Sequence, residues 1–304
     1  RFINITLTIQ NVEYLRLQGV LIQLWVFGLG LVIGSFLNVC IYRIPEGLSL
    51  LWPASKCVNC SKRVVWYDNI PVLSYLFLKG KCRHCQHKIS ALYPITEIIT
   101  GIVFLSLFHS VLMVKGDLIC AYIFYLIFCC LLIVGSIVDL KLYIIPNEIT
   151  YTGLILAPIA GLLCVGSRNL NSAQGYFDNS VNQWMASLQT TMIGVFVAGG
   201  MIYLCGVIGK LVFRKDAMGF GDVKLMGVIG GFIGWKLAVA TFFLAPFFGL
   251  LFGIPRLISK RGKMIPYGPF LSLAAFICLL FQDVTVGIID NYLDVYLTLF
   301  LYLF

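Results

Sequence analysis

Two acidic residues stand where the chain could do chemistry. Asp139 closes the apolar run from Leu118 to Val138 in the stretch SIVDLKLYIIPN, and Asp222 lies in AMGFGDVKLM, where apolar sequence resumes after a short basic loop. An ionisable group at the edge of a membrane segment is a functional candidate by default. Two carboxylates held close enough to share one proton can hydrolyse a peptide bond: one activates water while the other donates a hydrogen bond to the scissile carbonyl. Each acid also has a plainer reading. Asp222 would cap a helix beginning at Val223, and Lys141 and Lys224, each two residues beyond an acid, would reach out to lipid headgroups.

A second set of chemically competent residues is the pair of motifs C57-V-N-C60 and C82-R-H-C85 in the long polar loop. Two CxxC pairs at this spacing match a four-thiolate zinc site, in which each pair grips one metal from a tight knuckle. The surroundings repeat weakly, since Lys56, Cys57, Cys60, Arg63 and Val64 recur 25 residues later as Lys81, Cys82, Cys85, Lys88 and Ile89. Four protein ligands leave no open position for water, so the expected zinc is structural and orders the loop. His84 and His87 are expected to be bystanders. The other seven cysteines, Cys40, Cys120, Cys129, Cys130, Cys164, Cys205 and Cys278, fall in apolar runs, where a thiol is a small packing residue.

The elements that must carry these groups follow from composition. Of 304 residues 60% are hydrophobic and 12% charged, too apolar a balance for a soluble globule. Apolar runs recur at about 17–42, 94–114, 118–138, 149–166, 185–213, 217–236, 237–258 and 265–281, most near the roughly 20 residues a spanning helix needs. The fold class is therefore an all-α polytopic membrane protein of about eight transmembrane helices with a small zinc-binding cytoplasmic loop domain. The run after Asp222 is short and must start before that residue or lie where the bilayer thins. The first run, without a basic leader or cleavage site, reads as a retained helix. The domains divide as 1–42, an N-terminal transmembrane helix; 43–93, the zinc loop; and 94–304, a bundle carrying both aspartates. If the loop is cytoplasmic, its face collects 17 of the 22 Lys and Arg residues. By the positive-inside rule this orients the chain and places Asp139 and Asp222 on the cytoplasmic side. The net charge of +9 is then a matter of topology and lipid contact, with no nucleic-acid partner implied.

Six segments in order carry a family resemblance: G34-S-F-L-N-V-C-I-Y-R-I-P45; the double CxxC loop with D68-N-I-P-V-L-S-Y75; Y93-P-I-T-E97; D139-L-K-L-Y-I-I-P-N147; G219-F-G-D222-V-K; and I265-P-Y-G-P-F270. The chain resembles the prepilin peptidases, bifunctional leader peptidases and methyltransferases of type IV pilus and type II secretion systems, with a GxGD aspartyl site. The resemblance implies that Asp139 and Asp222 are the catalytic pair in the bacterial inner membrane. It implies prepilin or pseudopilin substrates with a basic leader, cut after Gly at the cytoplasmic face. The new N-terminal residue, usually Phe, would then be methylated from S-adenosylmethionine. Among polar groups near the loop, Arg43, Glu46 and Glu97 are the assigned contacts for that methyl donor, although no GxGxxG loop marks its site. Two departures stand out: the first knuckle lacks the common CPxC proline, and Asn147 excludes a third acid there. The rival reading from another class is a proton-coupled transporter using the same aspartates, but transporters bind near the midplane and show repeated halves.

Overall fold

The computed structural model describes residues 2–114, 119–164, 183–214, 219–258 and 266–303. Arg1, Lys115, Arg168, Lys215, Lys260, Arg261 and Lys263, counted above for orientation, and Ile265 of the last matching segment lie outside the described residues. All regular structure among the described residues is helical, apart from two isolated β-bridges in the polar loop. The chain separates into two compact units, residues 1–116 and 117–304.

The first unit pairs α1 (Phe2–Arg43) with α3 (Leu92–Leu107). Glycine lets these helices touch along their backbones: a Cβ at Gly34 would stand 2.7 Å from the Cα of Glu97, and one at Gly30 2.7 Å from that of Gly101. Small residues give apolar helices dispersion contact without any hydrophobic drive between them. Between the two helices the chain forms the polar loop, with a turn of 3-10 helix at Trp66–Asn69 and a short helix α2 (Leu73–Phe77).

The second unit runs from α4 (Ile119–Leu142) through α5 (Asn147–Leu163), α6 (Gln183–Phe213), α7 (Phe220–Ile233), α8 (Trp235–Ile258) and α9 (Gly268–Leu280) to α10 (Gln282–Leu303). Pro146 fixes the extended N-cap from which α5 starts, as a residue without an N–H can do at no cost there. Gly234, at φ +82, closes α7 in a conformation that disfavours any residue with a Cβ. Within the unit α7 packs against α6 and α5. Phe128 of α4 stacks on its Phe232 at 4.8 Å between ring centroids, both fully buried.

Among the described residues four helices are long and apolar enough to cross a membrane, or five if the pair α9 and α10, bent by 90° at Phe281, counts as one span. The expected eight are not confirmed. The shortfall is one of length, since α5 has 17 residues and α7 only 14, about 21 Å for α7 at 1.5 Å per residue. α10 is tied to α8 through an ion pair between buried Lys236 and Asp290.

One cysteine expectation is corrected. Cys120 and Cys164, read as packing thiols, are joined in a disulfide. They meet because α4 and α5 are consecutive helices with a four-residue connection, so the start of one lies beside the end of the other. That is the end of the pair remote from Asp139 and Asn147.

The α6 and α7 backbones meet at Gly194 and Gly230, where a Cβ at Gly230 would also press on Ala198 Cβ at 2.5 Å. Gly230→Ala is expected to cost about 1–3 kcal/mol by overpacking, seen as a lowered melting temperature in detergent. Gly200→Ala on the same pair of helices, with open space around it, should leave the melting temperature unchanged.

Candidate active site and metal centre

The polar loop builds its cysteine cluster from two equivalent turns. In the first, Cys57 N–H donates to Lys62 O and Ser61 N–H to Cys57 O; in the second, Cys82 N–H donates to His87 O and Gln86 N–H to Cys82 O. Each turn reverses at a residue with positive φ, Ser61 or Gln86, and is closed by an antiparallel bridge, Lys56 to Arg63 or Lys81 to Lys88. The 25-residue repeat is thus a repeat of backbone shape. It points Cys57, Cys60, Cys82 and Cys85 at one another, with all four sulfurs within 4.8 Å.

This donor set fits one tetrahedral metal. At Zn–S distances of about 2.3 Å, tetrahedral sulfurs lie roughly 3.8 Å apart, and Cys57 and Cys85 are 3.8 Å apart. Electrostatics points the same way. Backbone N–H groups of Cys60 and Asn59 lower the Cys57 thiol, and that of His87 brings Cys85 down to about 6. Cys60 receives a similar bond from Lys62, yet burial and the three neighbouring sulfurs push it up to about 11. Four thiolates cannot coexist at this spacing without a cation, and a divalent ion removes the conflict.

Of the residues assigned to a methyl donor, two are engaged in shaping this loop. Arg43 donates to the carbonyls of Ser49 (2.8 Å), Leu50 (3.3 Å) and Pro53 (2.6 Å). Glu97, 6% exposed, accepts the N–H of Val72 at 2.7 Å. Val72 is the N-cap of α2 and sits at φ +59, so Glu97 meets the positive end of α2 and not that of its own helix. Glu46 is exposed. Asp68 is paired with Arg83 at 2.6 Å, which holds its carboxyl below the usual range.

The acids are placed by three helix ends. Asp139, 5% exposed, lies in the last turn of α4, and its Oδ2 accepts the N–H of Gly268, the first residue of α9, at 3.1 Å. A Cβ at Gly268 would sit 2.7 Å from that oxygen, so a side chain there would collide with the carboxylate. Asp222 lies in the first turn of α7, near enough for its carboxylate to feel the charge of Asp139. The capping expectation is corrected here: the helix starts at Phe220 and its N-cap is Gly219, three residues earlier than expected, so Asp222 lies inside the first turn, where its carboxylate meets the Gly219 N–H. Both carboxylates therefore meet the positive end of a helix, α9 for Asp139 and its own α7 for Asp222. Tyr267 feels the charge of Asp222, and Ile145 packs against Gly221 and Gly268, 3.3 and 3.2 Å from where their Cβ atoms would stand. Gly268, Tyr267 and Ile145 were given no role by sequence reasoning; membership in the matching segments 139–147 and 265–270 was their one signal.

Residues 29–111 match the family model described as the Bacterial Peptidase A24 N-terminal domain, and residues 126–254 match that of the Type IV leader peptidase family. An Escherichia coli protein named Type 4 prepilin-like proteins leader peptide-processing enzyme is 32% identical over 276 residues, covering 83% of this chain and 91% of its own. The chain belongs to the type IV leader peptidase family. The Prepilin leader peptidase/N-methyltransferase of Pseudomonas putida is 30% identical over 280 residues, covering 84% and 89%, and that of Aeromonas salmonicida is 29% identical over 290 residues, covering 85% and 90%. No solved structure matches. Within the leader peptidase segment lie both aspartates and the glycines of α7, whereas Gly268 falls beyond it; the N-terminal segment holds Arg43, Glu46, Glu97 and the four cysteines.

Proposed function

We propose that this chain is a prepilin peptidase and N-methyltransferase, and that Asp139 and Asp222 are its catalytic dyad. The observation that carries the reading is a buried Asp139, held by the Gly268 N–H, within electrostatic reach of Asp222. One carboxylate takes a proton from water as its oxygen attacks the scissile carbonyl, while the protonated partner donates to the carbonyl oxygen. When the C–N bond breaks, the leaving amine takes up the proton. The substrate is a prepilin or pseudopilin, cut after a leader Gly at the cytoplasmic face of the inner membrane. Its apolar helix stays in lipid while its polar leader remains in the cytosol.

The freed N-terminal amine, usually that of Phe, then receives a methyl group from S-adenosylmethionine. Arg43 and Glu97 support this step by fixing the loop, and Glu46, three residues beyond Arg43, remains exposed. Zinc is the metal we assign to the four cysteines. It is structural because no coordination position is left open.

The test is mass spectrometry of a pilin-like substrate incubated with purified enzyme and S-adenosylmethionine. Two mass changes are expected, loss of the leader after Gly and gain of one methyl. Zinc-loaded, folded enzyme that does neither would sink the proposal.

A further inference from the structure

The two acids share a D-x-K pattern, but the structure treats the two lysines differently. Lys224 Nζ donates to Asn147 Oδ1 at 2.8 Å and to Tyr151 Oη at 3.2 Å. It also lies over the Tyr151 ring at 4.7 Å and the Phe220 ring at 5.1 Å from the centroids. Lys141, by contrast, is an exposed residue in the last turn of α4. The expectation that both lysines reach for headgroups therefore fails for Lys224, whose ammonium is turned onto its own protein.

The partners of Lys224 explain why this matters. Asn147 is the first residue of α5, and only Tyr143 to Pro146 separate it from the end of α4 that carries Asp139. Lys224 is two residues beyond Asp222 on α7, about 200° round the helix at 100° per residue. It faces away from the dyad, along the groove walled by Leu154, Phe196 and Tyr203. On one side of α7 is the acid, and on the other a clasp to the segment that leads back to the other acid. Ile145, inside that segment, completes the link by packing on Gly221 next to Asp222.

We propose that Lys224 is a positioning residue for the dyad. Its clasp on Asn147 and Tyr151 ties the start of α7 to the start of α5 and so fixes the separation of the two carboxylates. This rests on the proposed dyad. The chemistry requires a donor on α7 that satisfies an amide oxygen and a phenol while stacking on two rings, which a long cationic side chain does.

The test is steady-state cleavage of a pilin-like substrate by the reconstituted full chain. Lys224→Met and Asn147→Leu should each lower kcat about 10-fold, as misplaced catalytic groups do, with KM within about twofold. The double variant should be no worse than either single one, because both remove the same contact. Asn147→Asp, which keeps an oxygen acceptor for the amine, should retain kcat within about threefold, and Lys141→Met should match the wild type. Unchanged kcat in Asn147→Leu, or losses that multiply in the double variant, would overturn the proposal. Should Lys224→Met fail to fold, the Asn147→Leu and Asn147→Asp pair decides alone. Asp139→Asn and Asp222→Asn in the same assay separate the two ideas. If those variants still cleave, the dyad itself is wrong; if they are inactive while Lys224→Met is fully active, only the clasp is.

Discussion

Asp139→Asn and Asp222→Asn are each expected to reduce leader cleavage by about 1,000-fold or more, at the upper end of what positioned acid–base groups contribute. Both acids are needed because neither role can be duplicated: an amide cannot take a proton from water, and it cannot cycle between donor and acceptor as the peptide bond breaks. Fold should survive both changes. Asn keeps an oxygen that can accept the Gly268 N–H now bound to Asp139 and the Gly219 N–H that meets Asp222. The measurement is single-turnover cleavage beside melting temperature and zinc content. Loss of activity with melting temperature and zinc intact supports the dyad, and residual cleavage within tenfold of the wild type rules it out.

Chelation or Cys57→Ser is expected to unfold the loop between α1 and α3 while the helices of residues 119–303 keep their structure. The loop has little else to hold it. Leu51, Trp52, Val58, Trp66 and Phe77 are each at least 74% exposed, so little apolar burial opposes the entropy of ordering nearly 50 residues. The metal must supply the difference, and structural zinc binding is worth about 10–16 kcal/mol at neutral pH. Limited proteolysis should show cuts within 44–91 in the chelated protein and protection on adding back Zn2+. A loop that stays protected without metal would mean that the Arg43 and Glu97 hydrogen bonds suffice, and the structural role of zinc would fall.

The sequence made the acids, the cysteines and most helices legible because each depends on local pattern: apolar runs of spanning length, paired CxxC spacing, and charges at the ends of runs. What it hid depends on which helix meets which. The glycines of α7 meet α6 at Gly194 and α5 at Ala157, while Gly268 of α9 is what contacts Asp139. Cys120 and Cys164 looked like any apolar thiol because their pairing requires α4 and α5 to lie side by side. Glu97 was legible as a polar group near the loop, but the helix end it serves arrives from 25 residues upstream. The expected eight spans went unconfirmed for a related reason. Composition marks an apolar run, but the caps at Gly219 and Gly234 cut α7 to 14 residues.

The backbone contact between Gly194 and Gly230 makes α7 a ruler. Eight residues separate Gly230 from Asp222, about 12 Å at 1.5 Å per residue, and a stop made of main chain against main chain cannot slide by exchanging side chains. The depth of the carboxylate is thus counted in residues. Inserting or deleting one residue between 223 and 229 would swing Asp222 by about 100° and shift it by 1.5 Å. Length is therefore something this segment has to keep constant, besides the side chains it buries.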